Sequence, residues 1–191
     1  MASPVFHGWV GAGIAYAVAG DARLPLWASL RHATPLLLGA AVLACLPDLD
    51  YLPGIWSGSL NAAHQQGTHS VAWVLLAAAI IWGVGRWWKP TVFGWRAFLL
   101  VVMLIGSHLV VDLLTADYAA PYGIPLWAPF SDQHVQGPVA LLPAWEKRTL
   151  ADVWRVSNLQ PLVIEMGAGL LFAAGCLVVK RSWTWRAVGL S

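Results

Sequence analysis

Charge is what this sequence has least of. Only 10% of its 191 residues are Asp, Glu, Lys or Arg, against about 25% in an ordinary soluble domain. With 59% of residues hydrophobic, the deficit points to lipid rather than water as the surrounding solvent. A net charge of +2 without any long basic run leaves no electrostatic footprint for nucleic acid, which argues against such a partner. No Lys or Arg precedes Arg23, so the basic head of a secretory signal is missing and His7 is expected to stay in the mature chain. There are two cysteines, Cys45 and Cys176. Both sit in apolar segments, toward opposite membrane faces in the topology below, which excludes a bridge between them. Internal repeats, low-complexity tracts and a GxSxG nucleophile motif are all absent.

The apolar residues gather into segments that approach or reach the roughly 20 residues needed to cross a hydrocarbon core. Residues 33–47, 70–85, 95–114 and 161–179 are four such segments. A fifth, 5–20, is shorter and rich in Gly and Ala, as expected of a helix packed tightly against its neighbours. The sequence therefore predicts an all-α integral membrane bundle of about five helices, forming one domain over 1–191. Between the last two helices, residues 115–160 carry Pro121, Pro125, Pro129, Pro138 and Pro143. Such a segment suits an irregular cap, with a short helix near 147–156.

Cationic residues set the orientation. With the amino terminus outside, Arg23, Arg31, Arg86, Lys89, Arg96, Lys180, Arg181 and Arg186 lie inside, and only Lys147, Arg148 and Arg155 lie outside, within the long cap. Trp9, Trp27, Trp56, Trp87, Trp88, Trp95 and Trp183 fall near helix ends, as an interfacial belt requires.

On that topology the polar residues collect at the outer face. His7 begins the first helix, and Asp48 and Asp50 follow the second in LPDLD. His64 and His69 precede the third in HQQGTHS, His108 and Asp112 lie in the outer half of the fourth, and Glu165 enters the last. His108 and Asp112, four residues apart, project from one helix face. They suit chelation, or a hydrogen bond that joins helices. Pro47 helps end its helix, so that one of Asp48 and Asp50 can point inward while the other supports it. Thr68 or Ser70 can cap the next helix, and the glycine between His64 and His69 lets the backbone turn. His7 also reads as an interfacial histidine and Glu165 as a packing partner. His32 is expected at the inner interface and His134 in the cap.

Ionisable groups within a membrane are costly and by default mark a functional interior. Mixed imidazole and carboxylate donors suit zinc first, then manganese or iron. Their number exceeds what one tetrahedral ion needs, so two or three divalent ions are expected. Such ions activate water and clamp the oxygens of a phosphoester, with Asp50 or Glu165 as general base. A single-zinc amidase or esterase and a metal transporter or sensor are the alternatives. Transport requires polar groups continuing toward the inner face, where this chain is almost wholly apolar.

An early His, a PDxD after an apolar helix, HxxxTHS, and HxxxD in a later helix followed by Pro129-Phe130-Ser131 together resemble the YdjM-like family of bacterial inner-membrane-bound metal-dependent hydrolases. That family looks distantly similar to zinc-dependent phospholipases C and related nucleases. The resemblance implies a multi-pass inner-membrane enzyme with its site on the periplasmic face. It implies metal bound by His7, Asp48, His64, His69, His108 and Asp112, and a lipid or lipid-linked phosphoester as substrate. Members usually carry Arg directly after the first His of HxxxTHS. Here Gln65 stands in its place and Gln66 follows, leaving Arg148 or Arg155 of the cap to supply a phosphate clamp.

The charge distribution predicts that a carboxyl-terminal fluorescent-protein fusion glows and the matching alkaline phosphatase fusion is inactive. Phosphatase activity from that fusion would reverse the topology.

Overall fold

A computed structural model describes residues 2–62, 64–118 and 122–188; Pro121 and the side chain of Arg186 lie outside what is described. The described residues form six α-helices and no strand: α1 Pro4–Ala19, α2 Leu26–Ala44, α3 Tyr51–Ser57, α4 Val71–Trp88, α5 Trp95–Leu113 and α6 Leu159–Val188. Helices α2, α4, α5 and α6 are long and apolar enough to cross a membrane. At 1.5 Å per residue, the 19 residues of α2 and of α5 each span about 28 Å, close to the hydrocarbon thickness.

Helix α2 starts seven residues before the expected segment. Pro25 is its N-cap, and Pro35 is accommodated inside it. The expected short helix near 147–156 is instead two 3₁₀ turns, Asp152–Trp154 and Val156–Asn158.

Helix α1 has 16 residues and falls short of a full crossing, yet it organises the bundle, packing against α2, α5 and α6. Close approach explains its glycines. A Cβ on Gly11 would lie 2.6 Å from the Ala40 carbonyl oxygen and from the Ala44 Cβ, and Gly13 faces the ring of Phe172. Lipid tails are as apolar as leucine, so association inside a membrane relies on such backbone-to-backbone packing. Three apolar clusters follow the same plan. Ala15, Ala40 and Leu104 join α1, α2 and α5. Val74, Ala78, Val101 and Ile105 join α4 and α5. Phe6, Val10 and Val111 join α1 and α5 under Leu142 of the cap.

The outward faces of the spans are bare and apolar. Val42, Leu76, Ile80 and Leu171 are all largely exposed, as residues facing acyl chains are. Of the tryptophans expected at the interface, Trp27, Trp56, Trp87, Trp88, Trp95 and Trp183 are exposed. Trp9 instead packs against Gly169 of α6. At the end where α1 finishes, Lys180 donates to the Val18 carbonyl and Arg181 to that of Leu24.

The cap is tied down at the other end. Leu141 and Leu142 N–H groups donate to the Leu114 carbonyl at 2.8 and 3.1 Å, and Gly137 lies so close to the Leu113 carbonyl that a Cβ would overlap it.

Replacing Gly11 with Val should destabilise the bundle by about 1–3 kcal/mol, the usual cost of overpacking. Gly39→Ala, whose new Cβ meets nothing within 4 Å, serves as control. Equal detergent melting temperatures for the two variants would contradict the role of Gly11.

Candidate metal centre

Helix ends build the site. The end of α2 breaks into a 3₁₀ turn, Leu46–Asp50, that opens with Pro47 and carries Asp48 and Asp50. The turn Gly67–His69 delivers His69 to the start of α4, which Ser70 caps by accepting from the Trp73 N–H. Thr68 does not cap. Its hydroxyl donates to Asp50 at 2.8 Å. His7 sits in the first turns of α1, and His108 and Asp112 in the last turns of α5.

The backbone turn falls on an unexpected residue. Gln65, not Gly67, adopts the left-handed conformation, with φ 61°. A non-glycine residue there costs of order 1 kcal/mol or more. Two bonds hold it: the Gln65 N–H donates to Asp50 at 3.1 Å, and its side-chain amide donates to Asp117 at 3.0 Å.

Seven of the eight residues expected at the site come together in three overlapping groups: His7, His108 and Asp112; Asp48, His69 and His108; Asp50, His64 and His69. His7, His69 and His108 are at most 1% exposed, so water does not screen them. The donor atoms face one another at the spacing a cation imposes. The Nε2 atoms of His69 and His108 are 3.2 Å apart. Asp48 Oδ1 lies 3.9 and 3.5 Å from them, and Asp112 Oδ2 3.5 and 3.1 Å. Four ligands at tetrahedral Zn–N and Zn–O distances are separated by roughly 3.3–3.4 Å.

Hydrogen bonds on the far sides of the rings orient them. His108 Nδ1 lies 2.8 Å from the Ala44 carbonyl, to which it donates, and its Nε2 faces the cluster. His69 Nδ1 faces Asp50 Oδ2 at 3.2 Å, which turns its Nε2 to the cluster. Nitrogens so placed share a proton or a cation. Both ring nitrogens of His7, both oxygens of Asp112 and one of Asp48 are buried without a hydrogen bond. Such orphans are rare in proteins, and an ion is one of their regular explanations. The buried His and Asp groups could therefore hold a metal ion.

Asp112 can serve two positions. Its Oδ1 lies 3.4 Å from His7 Nε2 while Oδ2 faces His69 and His108. His108 turns only Nε2 to the cluster, whereas Asp112 presents one oxygen to His7 and the other to His108.

Asp50 and His64 are more fully engaged than a bare ligand set would be. Asp50 accepts from His64 Nδ1 at 2.7 Å, from the Gln65 N–H and from Thr68. His64 Nε2 meets the Tyr51 hydroxyl. Burial pushes the Asp50 carboxyl up, but its bonds to His64 and His69 outweigh that and hold it below the usual carboxylate range. Burial lowers His64 to about 4, against the opposing pull of Asp50, so this ring is neutral at pH 7. Burial and the surrounding aspartates push the Tyr51 hydroxyl up; it keeps its proton and donates it to His64.

Glu165 belongs to none of the three groups. Buried in α6, it accepts from the Ser3 N–H at 3.1 Å, from the Ser3 hydroxyl, and from Trp145 Nε1 at 2.8 Å. These bonds make it a strut joining the start of α1, the cap and α6. His32 is exposed, and His134 is half-buried outside the three groups.

Fold and site together define a multi-pass α-helical membrane protein with a buried His/Asp cluster at one end of its bundle. The model of the family described as YdjM inner membrane protein matches residues 1–187, and the chain belongs to that family. No curated protein and no solved structure matches, so the likeness to phospholipases C gains no support from comparison.

Glu165→Ala should lower stability by about 1–3 kcal/mol through stranded buried donors and leave metal content intact. Loss of metal with unchanged melting would restore Glu165 to the site.

Proposed function

We propose that this protein is a membrane-bound metal-dependent hydrolase that cleaves a phosphoester of a lipid or lipid-linked substrate. The observation that carries the reading is the meeting of His69 Nε2, His108 Nε2, Asp48 and Asp112 at 3.1–3.9 Å, with orphaned donor atoms around them. Bound there, a divalent ion such as zinc supplies Lewis acidity, which acidifies water and neutralises charge developing on phosphoryl oxygens.

The chain's own residues prepare the site. Ala44 and Asp50 orient the rings of His108 and His69, which limits reorganisation of the ligands. Asp48 Oδ2, buried and unbonded, can take a proton at the edge of the cluster. The cap covers this end and opens a cavity of about 610 Å³ beside His64, enough for a headgroup. Cations at the opposite end of the bundle support an outer-face site under the positive-inside rule. His69 and His108 would hold one ion and His7 could hold another, with Asp112 offering an oxygen to each, which favours the two-metal reading over the single-zinc amidase.

Purified protein should contain divalent metal, and His108→Ala and Asp48→Ala should each lower its affinity at least tenfold. Chelation should abolish phospholipid hydrolysis, and zinc or manganese should restore it. Full metal content in both variants, or turnover indifferent to chelators, would dismiss the reading.

A further inference from the structure

The cavity beside His64 is lined by Lys147, Arg148 and Arg155 together with Asp117, Glu146 and Asp152. These six formal charges cancel, so placement rather than total charge decides what the cavity attracts. Arg155 is committed: its guanidinium lies 2.7 Å from Asp152 and 3.5 Å from Glu146. Asp152 also accepts from Thr149, Glu146 from Ser157, and Asp117 from Gln65 and the Gly123 N–H. No carboxylate pairs with Lys147 or Arg148 among the described residues. The Lys147 ammonium instead lies over the ring of Tyr51, 4.9 Å from its centroid, and the Tyr51 hydroxyl bonds His64 at the border of the metal centre.

Lys147 is also held in place, unlike a free surface lysine. On one side the Trp145 indole donates to Glu165 at 2.8 Å, and the Glu146 N–H donates to the Asn158 side chain at 2.8 Å. On the other, the Arg148 carbonyl accepts from the Leu60 N–H at 2.9 Å. The segment is pinned to α6, to the turn before α6 and to the loop after α3. Preorganisation of this kind reduces the ordering cost of binding. A half-buried ammonium without a carboxylate, beside a cavity and a cation-type cluster, suits a doubly charged oxyanion that both can share.

We propose that this cavity is the phosphate subsite of the enzyme, with Lys147 as its principal cation and Arg148 at its mouth. The cap thereby supplies the positive charge that Gln65, whose amide donates to Asp117, does not. The inference rests on the hydrolase reading for the meaning of the phosphate, though not for its binding.

The test uses the full-length protein purified in detergent, with inorganic phosphate as the probe and calorimetry as the readout. Metal content is measured in parallel. Lys147→Ala should weaken phosphate binding at least tenfold, Lys147→Arg should retain most of it, and Arg148→Ala should have a smaller effect; all three should keep wild-type metal content. Displacement of phosphate by short-chain phosphatidate would identify the bound group as a lipid headgroup. Phosphate bound without such displacement would identify free phosphate as the ligand of the same site. Wild-type protein that binds no phosphate, or equal affinity in wild type, Lys147→Ala and the Lys147→Ala/Arg148→Ala double variant, would overturn the proposal. Phosphate binding that depends on Lys147 in a protein devoid of metal would instead sink the hydrolase reading and leave the anion site standing. A Lys147→Ala variant that melts below wild type would be judged by Lys147→Arg and Arg148→Ala alone.

Discussion

Desolvated imidazole–carboxylate contacts govern this molecule. Two imidazole nitrogens 3.2 Å apart and carboxylates within 3.9 Å of them are buried away from bulk water. Burying ionisable groups costs several kcal/mol unless they are paired. The bundle tolerates this because the donors sit on helix ends fixed by other contacts. Small residues lock α1 against α2, cap leucines lock onto α5, and Asp50 ties the loop before α4 to the end of α2. The fold thus preforms an arrangement of donors that could hold a cation, which is how preorganised metal centres are generally built.

Asp50 shows how few residues such a frame needs. One carboxylate orients His64 and His69, anchors the left-handed Gln65 and accepts from Thr68. It unites the LPDLD and HQQGTHS segments into one wall, while Asp48, two residues earlier, turns to the donors of α5.

Much of this was legible in the residues themselves. Four apolar stretches revealed the spans because length and composition are set by the bilayer, and the glycines of 5–20 announced the tightly packed helix. The His108–Asp112 spacing placed both on one face because helical periodicity leaves no choice. Depth along a helix is equally readable, which is why Glu165 was expected near the cluster. Rotation about the helix axis is not readable in a segment apolar on every side, and that rotation aims Glu165 at Ser3 and Trp145. Tyr51 was missed because its role comes from a three-dimensional contact with His64. Its only signal was its place directly after LPDLD. Gln65 was read as a lost arginine, whereas its backbone conformation and its bond to Asp117 depend on a cap fifty residues away.

The strut at Glu165 has a practical corollary for anyone handling the protein. Ala2 is 1% exposed and Ser3 is clasped by the last long helix, only one helical turn ahead of His7. Polypeptide fused at the amino terminus would begin beside this clasp and close to a cluster imidazole. Affinity handles therefore suit the far end of α6, which Lys180 and Arg181 place beside the end of α1, away from the cluster.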